Sequence, residues 1–205
     1  MSTSIDSLTR DHEQLLGALS CLQRLAERCV EGQPLDAERA TSLVELIQDF
    51  GCGLHHALED ELLFPLLESR GVAREGGAIG VLCYEHEAFT QALGRLSSAM
   101  AEAARGDAWA GRAWARHVDA LRHLSSGHMA KEEGVLFPFA AQHLGAKEDT
   151  QLSASMTSLE SKRFPGLRAR LARELPEHLA ALGVTDVAPL APIHCQKDPR
   201  DCPRA

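Results

Sequence analysis

His55-His56-Ala57-Leu58-Glu59-Asp60-Glu61-Leu62-Leu63-Phe64-Pro65 is answered 73 residues later by His128-Met129-Ala130-Lys131-Glu132-Glu133-Gly134-Val135-Leu136-Phe137-Pro138. Both stretches read His-x-x-x-Glu-x-x-x-Leu-Phe-Pro. A His and a Glu four positions apart on a helix lie on one face, one turn apart, so each copy can offer a nitrogen and an oxygen to the same metal ion. Two copies point to two ions. A single pair of this kind is more often a surface contact worth about 0.2–0.5 kcal/mol, and it is the doubling that lifts the motif above that reading.

Working outward, Asp11-His12-Glu13 is echoed by Glu85-His86-Glu87 at an offset of 74 residues. The chain therefore reads as a duplicated helical hairpin. Apolar residues at helical spacing run from about Ile5 to Val30, and Gly32-Gln33-Pro34 then breaks the pattern. Asp36 is a candidate N-cap for a second helix to Ser69, with Gly71 just beyond it. Gly76, Gly77 and Gly80 loosen the start of a third helix that runs to about Arg105, Gly106-Asp107 turns the chain, and a fourth helix spans Ala108 to about His143. Pro65 and Pro138 are expected to kink or end the last turns of the second and fourth helices. The expected fold is all-α, an up-down-up-down four-helix bundle over residues 1–145. Residues 146–205 form an extension with a short helix from Gly166 to Leu182 and a Pro-rich, irregular tail.

In such a bundle two residues share a level when the connecting loop lies midway between them. The midpoint of His12 and His55 falls between Gln33 and Pro34, that of His55 and His86 between Arg70 and Gly71, and that of His86 and His128 at Asp107. All three are loops assigned on other grounds. Four imidazoles are thus expected in one interior layer, with Glu59 and Glu132 one turn further along, each able to span two ions. The expected metal set is His12, His55, Glu59, His86, His128 and Glu132. Imidazole and carboxylate without thiolate suit iron first, then manganese or zinc.

The other candidates receive blander readings. His56 points about 100° from His55 on an α-helix and is read as surface, as are His117, His123, His143 and His178. Asp60, Glu61 and Glu133 are read as a solvated acidic face. Cys52 and Cys83 lie three residues before a ligand candidate and are read as core filler. Leu15, Leu16, Leu58, Leu82, Phe89 and Leu124 stand one turn from the ligands, where core packing also suits a diatomic gas. Tyr84, two positions before His86, points away. His194, Cys195 and Cys202 in the tail form one unmatched cluster, open to a metal or a disulfide.

Composition narrows the function classes. The chain has 205 residues, 44% hydrophobic and 24% charged, with a net charge of -8. That acidity argues against nucleic acid and against an anionic membrane surface as partners. Six Cys without an export signal read as reduced thiols, and with no window of spanning length a cytoplasmic protein is expected. Ferritin-type Glu-x-x-His, a His-Glu-x-x-His protease signature, a P-loop and Gly-x-Ser-x-Gly are all missing.

From about residue 8 to 143 the sequence resembles the hemerythrin-like, or HHE cation-binding, proteins; the most specific elements are His55-x-x-x-Glu59 and His128-x-x-x-Glu132, each leading into Leu-Phe-Pro. The resemblance implies a four-helix bundle around two iron ions with an oxo or hydroxo bridge. His12, His55, His86 and His128 would be terminal ligands, with Glu59 and Glu132 as bridges. It also implies a small diatomic ligand or peroxide as the partner, in a monomer or weak homo-oligomer whose electron donor is unknown. Oxygen-carrying members have a His-x-x-x-His pair on the third helix, whereas the positions four from His86 are Leu82 and Thr90. The expectation is therefore two His per ion, and binding, sensing or reaction with O2, NO or peroxide in place of oxygen carriage. The alternatives are an enzyme of NO or peroxide detoxification, iron delivery for iron-sulfur cluster repair, and a purely structural metal, the last disfavoured because two bridges and two His per ion leave open positions.

Overall fold

The computed structural model describes residues 3–187, and no strand occurs among them. Helix α1 is Thr3–Val30. Helix α2 covers residues 37–68 and changes pitch along its length: α-helical Ala37–Ile47, π-helical Gln48–His55, α-helical His56–Leu58, π-helical Glu59–Leu63 and α-helical Phe64–Glu68. Helix α3 is Ala78–Ala104. Helix α4 covers residues 108–143, with a π-helical stretch at Glu132–Leu136 between Ala108–Lys131 and Phe137–His143. Helices α5, Ala146–Arg163, and α6, Leu167–Leu182, follow.

The boundaries have local causes. Asp36 and Asp107 each accept a hydrogen bond from a backbone N–H three residues on, at Arg39 and Ala110, which satisfies one of the free donors at the helix start. Gly71 and Gly106 adopt φ of 91° and 80° in the connections after α2 and α3, a region that costs other residues strain. The three His midpoints all fall in the connections between the four long helices.

Helix α1 packs on α2 and α4, and α3 packs on the same two, so the four close a ring of contacts around one core. Leu8, Leu19, Leu22 and Leu25 from α1 meet Leu43, Ile47, Phe50 and Leu54 from α2 and Trp114 and Leu121 from α4, all of them buried. Truncating any one of these Leu to Ala would cost about 2–5 kcal/mol. Among the described residues no helix is long and apolar enough to cross a membrane.

Pro65 and Pro138 neither end nor sharply interrupt their helices. A prolyl ring collides with the carbonyl four residues back and supplies no N–H. In each copy the turn before it widens instead: Phe64 N–H bonds the Glu59 carbonyl and Phe137 N–H the Glu132 carbonyl, five residues back. The helices then continue to Glu68 and His143. Both wide turns begin at the Glu of the repeated motif, in keeping with the tendency of π-turns to occur at functional sites.

The C-terminal extension contains one helix more than the sequence reading assigned. Helix α5 escaped because it buries only Asp149, Leu152 and Met156 and is rich in Ser and Thr, so its apolar stripe is faint. The Asp149 carboxylate accepts from Thr3 N–H at 2.8 Å and Ser4 N–H at 3.1 Å, giving the first turn of α1 both hydrogen bonds and a favourable charge. Helix α6 lies on α1 and α2 and buries Leu171, Leu175 and Leu182. His178 is buried, contrary to expectation: its Nδ1 accepts from Arg39 at 3.2 Å, so Nε2–H donates to Ser42 Oγ at 3.1 Å. His117 and His143 are half-buried and only His123 is fully exposed. The Pro-rich tail, with His194, Cys195 and Cys202, lies outside the described residues.

Candidate metal centre

His12, His55, His86 and His128 come one from each long helix and all four are buried, with Glu59 and Glu132 0% exposed between them. The Nε2 atoms pair, His12 with His55 at 3.1 Å and His86 with His128 at 3.2 Å. Two nitrogens bound at right angles to one ion at about 2.1 Å lie about 3 Å apart, so each pair has the spacing of neighbouring ligands on a single ion.

The two Glu stand between the pairs. Glu59 turns Oε1 to His55 at 3.6 Å and Oε2 to His86 at 3.4 Å. Glu132 turns Oε2 to His12 at 3.1 Å and Oε1 to His128 at 3.2 Å. Each carboxylate thus gives one oxygen to each side. None of these four oxygens accepts a well-formed hydrogen bond, although all are sealed from solvent. Unpartnered carboxylate oxygens carry a large desolvation cost that a cation would remove. His12, His55, Glu59 and Glu132 form one set that can hold an ion; Glu59, His86, His128 and Glu132 form the other.

The outward Nδ1 atoms meet a ring of further carboxylates. His12 faces Glu133 at 2.8 Å, His86 faces Asp60 at 3.1 Å, and His128 faces Glu85 at 3.1 Å. His55 faces Asp11 at 3.6 Å, an ion-pair distance too long for a hydrogen bond. A carboxylate that accepts a hydrogen bond from Nδ1–H keeps the proton on that nitrogen and leaves the Nε2 lone pair free to point at the centre. Asp60 and Glu133 are therefore not a solvated face as the sequence reading held, whereas Glu61 is a surface partner of Arg163. The signal for these four residues lay in the repeat. Each is the chain neighbour of a ligand candidate, Asp11 of His12 and Asp60 of Glu59, and serves a His on a different helix.

Electrostatics in the metal-free chain follow from this arrangement. Burial pushes the His12 imidazole down, but Glu132 and Glu133 more than offset it and raise its pKa to about 9. Burial likewise opposes Asp60 and Glu59 at His86, raised to about 9, and Glu132 and Glu85 at His128, raised to about 10. Glu132 is penalised by burial yet held well below the usual carboxylate range by His128 and His12. Metal ions must therefore displace protons to bind.

The Leu-Phe-Pro tails also find a role. Phe137 lies against the His12 ring at 5.3 Å and 16°, and Phe64 against His86 at 5.8 Å and 18°. The Phe of one element thus walls the His of another, in both halves. Leu15, Leu58, Leu82 and Phe89 are buried as expected, while Leu16 and Leu124 are only partly so.

His56 is buried, not on the surface. Its ring is stacked on His86 with centroids 3.6 Å apart and planes 7° apart. Burial and the neighbouring imidazoles hold its pKa well below the usual histidine value. An offset of about 100° does not bring a residue to the surface of this helix, because α1, α3 and α6 all pack on it and cover a face wide enough for both neighbours. The surface reading of His56 is therefore overturned: it is a fifth buried imidazole, with a ring nitrogen within 4.8 Å of ligand atoms of His86 and His128.

Fold and centre together define an all-helical protein with a buried imidazole and carboxylate cluster able to bind cations. The model of the hemerythrin HHE cation binding domain matches residues 3–140, and the chain belongs to that family. No curated protein and no solved structure matches the chain.

Proposed function

We propose that residues 1–145 form an up-down-up-down four-helix bundle around a non-haem di-iron centre that binds, senses or reacts with O2, NO or peroxide, with residues 146–205 as an extension and the cytoplasm as its compartment. The observation that carries this reading is that Glu59 and Glu132 each present their two oxygens to two different His pairs. A structural staple would need one closed set of four ligands, whereas two shared carboxylates could hold two ions with fewer protein ligands than a closed set would supply to each. The ions, when bound, supply redox chemistry and sites for a small ligand.

The chain's own residues do the rest. Glu133, Asp60 and Glu85 fix the tautomers of His12, His86 and His128, Glu59 and Glu132 set the separation of the two sides, and the Phe64 and Phe137 rings with Leu15, Leu58 and Leu82 exclude water. Binding of ions there would require His12, His86 and His128 to give up protons to solvent. Cys83 is a poor candidate for a redox partner: burial first, then Asp60, pushes its thiol up to about 11. Tyr84 is exposed and turned away from the centre.

Anaerobic reconstitution with Fe(II), followed by separate addition of O2, NO and peroxide, tests the reading. Two irons per chain and optical changes with at least one of the three are expected. A single iron per chain, or two irons inert to all three, would overturn it. A stable reversible O2 adduct would identify carriage, and turnover would identify an enzyme.

A further inference from the structure

We propose that the segment Ala188-Pro189-Leu190-Ala191-Pro192-Ile193, directly after the last described residue, docks in the groove between α1 and α4 of its own chain as a polyproline II strand, with Leu190 and Ile193 on the side that meets the groove. It is independent of the two-ion reading, since none of these residues is a candidate ligand.

Ala26 and Val30 of α1 and Ala115 and Val118 of α4 give the groove an apolar lining, flanked by Glu27 and Glu31 on α1 and by Arg112 and Arg116 on α4. Val118 is buried at its base, whereas Val30 is 55% exposed and has no cover among the described residues. The groove continues toward the other end of the chain. Gln23, Glu27 and Arg122 also line that continuation, whose remaining boundary includes Gly183, Val184, Thr185 and Asp186. The described chain therefore leaves α6 at the mouth of the groove.

The sequence that follows fits such a groove. Val184, Val187, Leu190 and Ile193 place a large aliphatic residue at every third position. Three residues per turn is the period of polyproline II, whereas α-helices repeat at 3.6 and strands at 2. Pro189 and Pro192 fix φ near about −65°, and each disfavours helical geometry at the Ala before it. The first step of the pattern is already visible, since Val184 and Val187 are half-buried while Thr185 and Asp186 between them are exposed. Length agrees as well. The α1 side of the groove from Gln23 to Glu31 spans about 12 Å at 1.5 Å per residue, and six residues of polyproline II cover about 19 Å. Leu190 and Ile193 can thus reach Val30 and Ala115, and the charged run that starts at Lys197 falls beyond the apolar part.

The test is NMR of the methyl-labelled full chain, kept free of paramagnetic iron. Methyl NOEs from Leu190 and Ile193 to Val30 and Ala115 are expected, with backbone order parameters of about 0.85 at the Leu190 and Ile193 amides. Val30→Asp, an exposed change in the groove, and the double variant Leu190→Asp with Ile193→Asp should each abolish these NOEs and lower the order parameters of residues 190 and 193 below about 0.6, with helical circular dichroism unchanged. Ala191→Asp, which stands off the aliphatic face, should keep the NOEs. Their loss in that variant would overturn the threefold register. Tail methyls that contact no part of the groove would overturn the docking itself. NOEs found only between differently labelled copies in a mixed sample would assign the groove to the tail of a second copy and overturn the intramolecular strap.

Discussion

Arg168, in the last described helix, forms a two-pronged ion pair with Asp11, which lies 157 residues earlier and faces His55. The same guanidinium binds Glu160 at 2.7 Å. Asp11 is 1% exposed, so without Arg168 its charge would be left nearly unpaired beside the candidate centre. Burial opposes ionisation of Asp11, but His55 and Arg168 together hold its pKa below the usual carboxylate range. Through Arg168 the C-terminal extension reaches the outer carboxylate that faces His55, whereas the carboxylate that faces His128, Glu85, is paired with Lys131 of α4.

Replacing Arg168 by Met is expected to destabilise the chain by about 1–3 kcal/mol, between the values for exposed and fully buried pairs, because the Arg168 side chain is 35% exposed. It should also loosen the iron on the His12 and His55 side selectively. Urea unfolding and site-resolved Mössbauer spectra check the two effects, and equal perturbation of both irons would contradict a link that runs through Asp11.

The outer carboxylates should matter without touching an ion. Asp60→Asn keeps the size of the side chain but removes the charge that holds His86 Nδ1–H. Affinity for the ion on the His86 and His128 side is expected to fall about 10–100-fold. Glu133→Gln should do the same through His12. Competition with a metallochromic chelator measures both, and unchanged affinities would show that these contacts do not set the tautomer.

Glu59→Ala and Glu132→Ala are expected to abolish binding of a second ion, because each Glu contributes an oxygen to both sets. His55→Ala should lose the ion of its own set. Iron content after reconstitution settles this, and two irons retained in all three variants would contradict the assignment. Removal of metal by a chelator should leave the helices intact, since the ring of four long helices is packed by Leu, Phe and Trp, but should lower Tm because bound ions stabilise only the folded form.

How much of this was legible in sequence depends on which helical pitch the chain keeps. The four inward imidazoles and two Glu follow from spacing alone, since residues four apart share a face in any nearly α-helical segment and loop midpoints set the level. The loops were legible because Gly71, Gly106 and the capping Asp36 and Asp107 have few other uses. His56 was not, because the sequence does not show that three helices pack on α2 and bury a face wide enough for two adjacent imidazoles. The Pro at the end of each motif was visible, and suggested a kink or a helix end, but the widened turn that begins at the motif's Glu and ends before Phe-Pro was not. Helix α5 was hidden by its faint stripe, and Asp60 and Glu133 by their place in an acidic run; Asp11 and Glu85 stood out in the repeated triplet, but the triplet does not show which His each one faces.

His178 reads as surface because no partner for it shows in the sequence, and its burial has a consequence that can be measured far from any metal. Burial, and then the charge of Arg39, lower its pKa from the ordinary value of 6.5 in the folded chain. Below that value the unfolded chain takes up a proton before the folded one does, so stability rises with pH across the window beneath it. The contribution is fully present above pH 6.5 and is lost as pH falls from there through the folded pKa. His178→Gln keeps polar contacts to Arg39 and Ser42 in reach and removes the titration. Between about pH 7.5 and about pH 5.5 the unfolding free energy of the unsubstituted chain should therefore drop more than that of His178→Gln, with the difference arising below the ordinary histidine value. The carboxylates titrate alike in both proteins and cancel in the comparison. Urea midpoints at the two pH values give the answer, and parallel losses in the two proteins would mean that His178 is accessible to protons in the folded state.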